Sequence, residues 1–470
     1  MNSVPLPVAV IGAGPVGLAA AAHLIARGAT PLVLEAGPVA AHSVRQWGHV
    51  RMFTPWRYCV DRVAAGLLAA HGWTHPSADD VPTGAELVRD YLEPLAACLG
   101  SRLHLNARVV SVTRRGADKV RTAGRGALPF VLRVADSDGR IRTVEAAAVI
   151  DSSGTWATPN PAGADGLPAL GEVEAAGRIA YGMPDVLGEA RGRYAGHTVA
   201  VLGSGHSALN ALIELSTLRR ETPDTRILWL MRKERVESTF GGEAADALPE
   251  RGALGSEARM LVESGAVEVV ASFHVSAIAC EANGGLVIEG EQAGAPRHVK
   301  ADQIIVATGF RPDLSMLREV RLALDPWLES AAGLGPLIDP NLHSCGTVRP
   351  HGAKELAHPE PGFFIAGIKS YGRAPTFLLA TGHEQVRSIA AHLTGDTEAA
   401  ARVELDLPET GVCSSRPAPH QVATPASCCG GTIPAAPAVC CTSETPQGTC
   451  CAPKPELAAA APCCEPATAA

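Results

Sequence analysis

What the chain lacks narrows it first. No apolar run in the 470 residues approaches the ~20 needed to cross a membrane. Basic residues are in deficit: 40 Lys and Arg against 48 Asp and Glu leave a net charge of −8. Neither nucleic acid nor an anionic membrane is therefore an expected partner. No basic segment precedes the first apolar stretch, which argues against a signal peptide, so we expect a cytoplasmic protein. The region up to Pro408 holds four cysteines, Cys59, Cys98, Cys280 and Cys345, without Cys-x-x-Cys or Cys-x4-Cys spacing. It therefore carries no redox dithiol of the usual kind. No catalytic triad or dyad stands out either.

What the chain has is two glycine fingerprints, 191 residues apart. The first follows the apolar run Val8–Ile11 and comprises Gly12, Gly14 and Gly17, ahead of a helical pattern from Leu18 to Ala26. The second follows Thr198–Leu202 and comprises Gly203, Ser204, Gly205 and Ala208, ahead of an apolar periodic stretch from Leu209 to Leu218. In such a loop the first glycine allows the tight turn and the second lets a pyrophosphate approach the backbone. The third small residue lets helix pack on strand, with the phosphate at the helix N-terminus. One match is weak; two in strand–turn–helix context point to two dinucleotides held against each other.

The acidic residue expected at the end of the second strand is Glu35, 23 residues after Gly12. A carboxylate there accepts hydrogen bonds from ribose hydroxyls, which suits FAD or NAD and repels a 2′-phosphate. The corresponding strand of the second unit, Arg226 to Met231, ends instead in Arg232 and Lys233. Two cations there suit the 2′-phosphate of NADPH; a solvated basic turn is the plainer alternative. Each half closes on a strand that ends in small residues, Ala148–Gly154 in one and Ile304–Gly309 in the other. A further buried strand ends at Gly367, followed by Ser370–Phe377 and a helix from about Thr381 to Leu393. In two-dinucleotide flavoproteins that arrangement brings a strand end and a helix N-terminus to the flavin ring.

The expected fold is α/β, with two Rossmann-like dinucleotide-binding domains. An FAD-binding domain (1–160 and 306–407) receives an inserted NADPH-binding domain (161–305). Residues 408–470 form a tail expected to be disordered: residues 409–470 hold ten prolines and no Phe, Tyr or Trp, too little apolar surface to offset the entropy of ordering. The tail carries Cys413 and the doublets Cys428-Cys429, Cys440-Cys441, Cys450-Cys451 and Cys463-Cys464, at intervals of 12, 10 and 13 residues. Adjacent thiolates can share one soft ion, and a flexible tether raises their local concentration. The spacing does not suit a zinc finger. The bland alternative is a low-complexity tail with redox-buffering cysteines.

On these residues the chain, over roughly 5–400, resembles the FAD/NADPH-dependent flavin monooxygenases. Within that group it is similar to the flavoprotein oxidoreductases of bacterial arsenic-resistance operons. The matching stretches are Arg45–Val50 with Phe53–Trp56, Ala180–Asp185, Gly203–Ala208 and Ser370–Pro375. The resemblance implies reduction of FAD by NADPH, capture of dioxygen as a flavin peroxide and oxygen transfer to a small soft nucleophile, a trivalent arsenical among them. Arg45, Trp47 and Tyr181 are the candidate catalytic residues. The wider family places a Phe-x-Gly-x-x-x-His signature before the second glycine loop. Here that place reads Ala175 to Tyr181, and only Gly177 matches. Two other readings stay open: a reductase passing flavin electrons to the tail cysteines or a tail-bound ion, and a metalloid-binding or redox-sensing flavoprotein with little turnover.

Overall fold

The strands that carry the glycine loops are apolar almost throughout, because helices and neighbouring strands cover both faces. The computed structural model describes residues 5–246, 248–282, 284–342, 349–375 and 377–405. The 408–470 tail, with its cysteine doublets and their proposed ligand set, lies outside the described residues, as does Cys345.

The first lobe is built on a parallel sheet. Its strands are β1 (Val8–Ile11), β2 (Pro31–Leu34), β3 (Leu103–His104), β7 (Ala148–Asp151) and β16 (Phe363–Ile365), in the order β16-β7-β1-β2-β3. Between β3 and β7 the chain inserts an antiparallel sheet of β4 (Arg108–Arg114), β5 (Phe130–Ala135) and β6 (Ile141–Ala146). The second lobe repeats the plan. Strands β8 (Ile179–Tyr181), β9 (Thr198–Leu202), β10 (Arg226–Leu230), β11 (Glu268–Val270) and β15 (Gln303–Val306) form a parallel sheet in the order β11-β10-β9-β15-β8. Its antiparallel insertion is β12 (Phe273–Cys280), β13 (Leu286–Gln292) and β14 (Ala295–Ala301). The two-fold repeat of nucleotide fold and small insertion is thus present in both halves.

Three helices position the site: α1 (Pro15–Ala26), α2 (His206–Glu221) and α3 (Leu379–Leu393). Proline at the first position of α1 has its φ pre-set and no N–H to leave orphaned, and Gly14 caps the helix. The helix is buried from Val16 to Leu24. Its alanines let β1 and α3 approach closely, and Leu18 and Leu24 are fully covered. Burial of each such leucine stabilises the fold by roughly 1.5–3 kcal/mol. Gly28, at φ +74°, ends the helix.

The lobes are joined by two short crossing segments that pair with each other. Pro159 and Phe310 form an antiparallel bridge, with Asn160 N–H donating to Gly309 O at 2.9 Å and Arg311 N–H to Thr158 O at 3.0 Å. Side chains reinforce the crossing: Arg311 Nε donates to Asn160 Oδ1 at 2.9 Å, and Asn160 Nδ2 to Thr308 O at 3.0 Å. No helix among the described residues is long and apolar enough to span a membrane.

Candidate functional site

The first glycine loop is shaped by contacts that exclude side chains. Gly12 has φ +96°, and a Cβ there would lie 2.8 Å from Ser152 O. A Cβ on Gly17 would lie 2.0 Å from Gly12 O. Gly14 differs: a Cβ on it meets nothing within 4 Å. Two glycines therefore serve the fold, and the third leaves an open approach to the N-terminus of α1, where unpaired amides favour a phosphate. Glu35 is tied into the same loop. Its Oε2 accepts from Ala13 N–H and its Oε1 from Gly37 N–H, each at 2.7 Å. A carboxylate offers about four acceptor directions, so two bonds fix its orientation and leave lone pairs for hydroxyls.

The second loop follows the same rule. Gly203 has φ +130°, and its Cβ would lie 2.3 Å from Ala307 O, whereas a Cβ on Gly205, the cap of α2, meets nothing within 4 Å. Ala208 is fully buried, filling the third small-residue place, and Ser204 lies between the two glycines. Trp229, fully buried on β10, donates from Nε1 to Gly203 O at 2.7 Å. Beyond β10, Arg232 and Lys233 are exposed. Arg232 donates to Ala164 O at 2.9 Å and Lys233 to Ser238 O at 3.2 Å. Gly309 sits on the crossing segment.

A third set of residues gathers where β7 and β16 end. Gly367, at φ +72°, would place a Cβ 3.4 Å from Val16 Cβ, so its turn leans on the first turn of α1. Beneath it lies a buried ion pair: Lys369 Nζ donates to Asp151 Oδ2 at 2.8 Å and to Ser153 Oγ at 3.0 Å. Ser153 in turn donates to Asp151 Oδ1 from its hydroxyl at 2.7 Å and its amide at 3.1 Å. Both charged side chains are at most 1 % exposed. Sequence reasoning missed this pair. The available signal was an acid closing the apolar strand β7 and a lysine in the turn that follows β16.

The three candidate catalytic residues do not form one cluster: among the described residues, no hydrogen bond, ion pair or ring contact joins any two of them. Arg45 pairs with Glu93 and donates to Ala40 O. Trp47 packs on Gly84, where a Cβ would lie 2.8 Å from its ring. Tyr181 donates from its hydroxyl to Glu172 Oε1 at 2.6 Å. Burial and that carboxylate push the phenol well above its usual range.

Other residues bridge the lobes. Trp156 stacks on Phe310 with ring centroids 5.0 Å apart and donates from Nε1 to Gln46 Oε1 at 2.6 Å. Gly182, at φ +78°, admits both rings: a Cβ there would lie 3.1 Å from each. Phe53 meets His206, the first residue of α2, edge-to-face at 5.0 Å. About two turns along α2, Glu214 Oε1 lies 3.8 Å from His49 Nε2. Burial pushes Glu214 up to about 7, with repulsion from Asp185 adding and the Val186 N–H opposing. Burial lowers His49, against the pull of Asp185.

Cys59 is fully buried, and burial, eased by a bond with Thr54, pushes its thiol up to about 11. Cys98 and Cys280 are free thiols. No dithiol is present among the described residues.

No protein-family model matches the chain, and no curated protein matches it. Solved structures do. The bacillithiol disulfide reductase of Bacillus cereus superposes with a TM-score of 0.60 at 18% identity, covering 83% of this chain and 100% of that one. The cadaverine monooxygenase of desferrioxamine biosynthesis from Erwinia amylovora, solved bound to FAD, gives 0.58 at 14% identity, over 86% and 98%. A flavin monooxygenase from Stenotrophomonas maltophilia gives 0.54 at 22% identity, over 83% and 99%. At these identities the likeness is one of fold. This chain has the two-lobed α/β architecture that those oxidoreductases share.

Proposed function

We propose that the protein is an FAD-dependent, NADPH-using oxidoreductase of the monooxygenase type. The carrying observation is the pair of glycine loops, each closed to a Cβ where the fold packs and open where a phosphate would approach. Residues 1–160 and 306–407 then form the FAD lobe and 161–305 the NADPH lobe.

The residues fit the two groups. Gly14 and the N-terminus of α1 would take the FAD pyrophosphate and Glu35 its ribose hydroxyls. The Gly203–Ala208 loop would take the NADPH pyrophosphate, and Arg232 and Lys233 its 2′-phosphate. Bound FAD supplies hydride acceptance from NADPH and electron transfer onward to dioxygen. The chain's own contribution is placement. The ribbon of residues 158–160 and 309–311 sets the two lobes against each other, and the Trp156–Phe310 stack rests on Gly182 of the second lobe. Arg45, Trp47 and Tyr181 act in this reading by shaping the surrounding loops, since each is engaged with a protein partner.

The lack of a dithiol among Cys59, Cys98 and Cys280 favours oxygen as electron acceptor over a disulfide relay. The finer reading is a trivalent arsenical as the soft nucleophile, captured by the tail doublets. It rests on the resemblance and on the eight paired cysteines. The likeness to a disulfide reductase keeps a second reading, in which flavin electrons pass to tail disulfides or a tail-bound metalloid.

Oxygen uptake and NADPH oxidation by the purified flavoprotein, with and without a trivalent arsenical, test these readings. Matched consumption stimulated by the arsenical, with oxidised arsenical as product, supports the monooxygenase. Anaerobic NADPH oxidation that requires the tail cysteines would establish the reductase instead.

A further inference from the structure

Gln385 lies on α3 and is fully buried, yet all its polar atoms are used. Its Oε1 accepts the Gly367 N–H at 2.8 Å, and its Nε2 donates to Ser370 Oγ at 2.9 Å and to His351 Nε2 at 2.8 Å. Ser370 Oγ returns a bond to Gly367 O at 2.7 Å. Both polar groups of Gly367 are thus held by one side chain, directly or through one hydroxyl.

Donor and acceptor roles here are forced. A backbone N–H only donates, so the Gln385 atom facing Gly367 is the amide oxygen, and the amide nitrogen faces His351. His351 Nδ1 faces Arg349 O at 3.0 Å, and a carbonyl only accepts, so Nδ1 carries the hydrogen. Nε2 must then be bare, which makes the ring neutral. A second proton would set an Nε2–H against the Gln385 N–H2, donor against donor. Relief requires either the ring to move away or the amide to turn, and turning takes its oxygen off Gly367.

Among the described residues, the groups facing His351 are few. Glu355 lies on its own segment and accepts from Gly352 N–H at 2.9 Å. Glu384 of α3 is held by Arg387 at 2.7 and 2.8 Å, and the Tyr371 ring lies 5.6 Å away. Burial disfavours the charged ring more than the Arg349 carbonyl, Glu355 and Glu384 favour it, so His351 lies below its ordinary 6.5.

We propose that Gln385 is the positioning residue for the flavin-side turn Gly367–Tyr371, and that acid opens this lock by protonating His351, releasing FAD. The inference rests on the FAD reading above. The turn leans on Val16, next to the first glycine loop, and Lys369 keeps its middle tied to Asp151, so losing Gln385 frees the Gly367 end, the part beside the cofactor.

The test is FAD dissociation from the holoprotein after dilution, followed by the rise in free-flavin fluorescence from about pH 8 to about pH 5, a window centred on the histidine range. Wild type should release FAD about tenfold faster at the acid end, the scale of one lost hydrogen bond to a buried amide. His351→Asn keeps a carbonyl acceptor for Gln385 but cannot titrate, so it should hold FAD at neutral pH and lose the acid dependence. Gln385→Leu should release FAD about tenfold faster at every pH. An unchanged acid profile in His351→Asn, or wild-type retention in Gln385→Leu, overturns the proposal. Should Gln385→Leu fail to fold, nitrogen chemical shifts of labelled wild-type histidine decide: Nδ1–H on a neutral His351 supports the lock, and Nε2–H overturns it. The tautomer can be read on the apoprotein, so a chain that takes up no flavin would sink the FAD reading while the lock is still tested.

Discussion

Gly14 and Gly17 look equivalent in the fingerprint and are not equivalent in space. A Cβ on Gly17 would lie 2.0 Å from Gly12 O, whereas one on Gly14 meets nothing within 4 Å. Gly14→Ala should therefore leave the melting temperature nearly unchanged while the flavin content of the purified protein falls severalfold. Gly17→Ala should lower both, because the loop backbone must move. Equal loss of stability in the two variants would show that Gly14 serves the fold. Lys369 offers a second test at this scale. Removing it as Lys369→Met strands the fully buried Asp151 carboxylate, which costs about 3–5 kcal/mol when a buried pair is broken from one side. Adding Asp151→Asn to that variant should recover part of the loss in urea denaturation. No recovery would mean that Lys369 contributes by packing alone.

Element by element, what could be read from the sequence was what is local. The glycine loops, both parallel sheets' inner strands and α3 follow from runs of a few residues, and each appears close to its expected place. The boundaries moved where capping, not apolar periodicity, decides. α1 begins at Pro15, three residues before its apolar pattern, because Gly14 caps it and proline suits the first position. α2 begins at His206 and runs to Glu221, since its polar first turn and basic last turn lie outside the periodic stretch. Pairings between separate elements left no local trace: Asp151 with Lys369, and Gln385 with Gly367 and His351. The β10 end is a local feature with a testable consequence. Arg232→Ala should raise KM for NADPH roughly ten- to hundredfold, the scale of lost charged hydrogen bonds, with KM for NADH little changed. An equal rise for both nucleotides would assign Arg232 to holding the Ala164 loop, to whose carbonyl it donates.

Across the whole molecule, the two lobes meet at a titratable contact whose sign can be worked out. Glu214 on α2 faces His49 of the first lobe at 3.8 Å, with Asp185 nearby. Its carboxyl rises from an ordinary 4.5 to about 7 in the folded protein, chiefly by burial. The folded state therefore binds the proton more tightly than the unfolded chain does. That contribution to stability is complete below pH 4.5 and is lost as pH rises to about 7. The gap corresponds to about 3 kcal/mol. His49 works in the opposite sense: burial lowers it from 6.5, so the unfolded chain takes up the proton first and stability falls as pH drops below that value. Wild type should consequently lose stability on both sides of a mildly acidic optimum. Glu214→Gln removes the alkaline limb alone. It should be more stable than wild type by about 1–3 kcal/mol at pH 8, where Glu214 is charged, desolvated and repelled by Asp185. Near pH 5 the two proteins should be nearly equal, since the wild-type carboxyl is then already protonated when folded. Urea denaturation at the two pH values checks this. A Glu214→Gln variant less stable at pH 8 would mean that the His49–Glu214 contact holds the lobes together as an ion pair, and that the charged form is the one the fold selects.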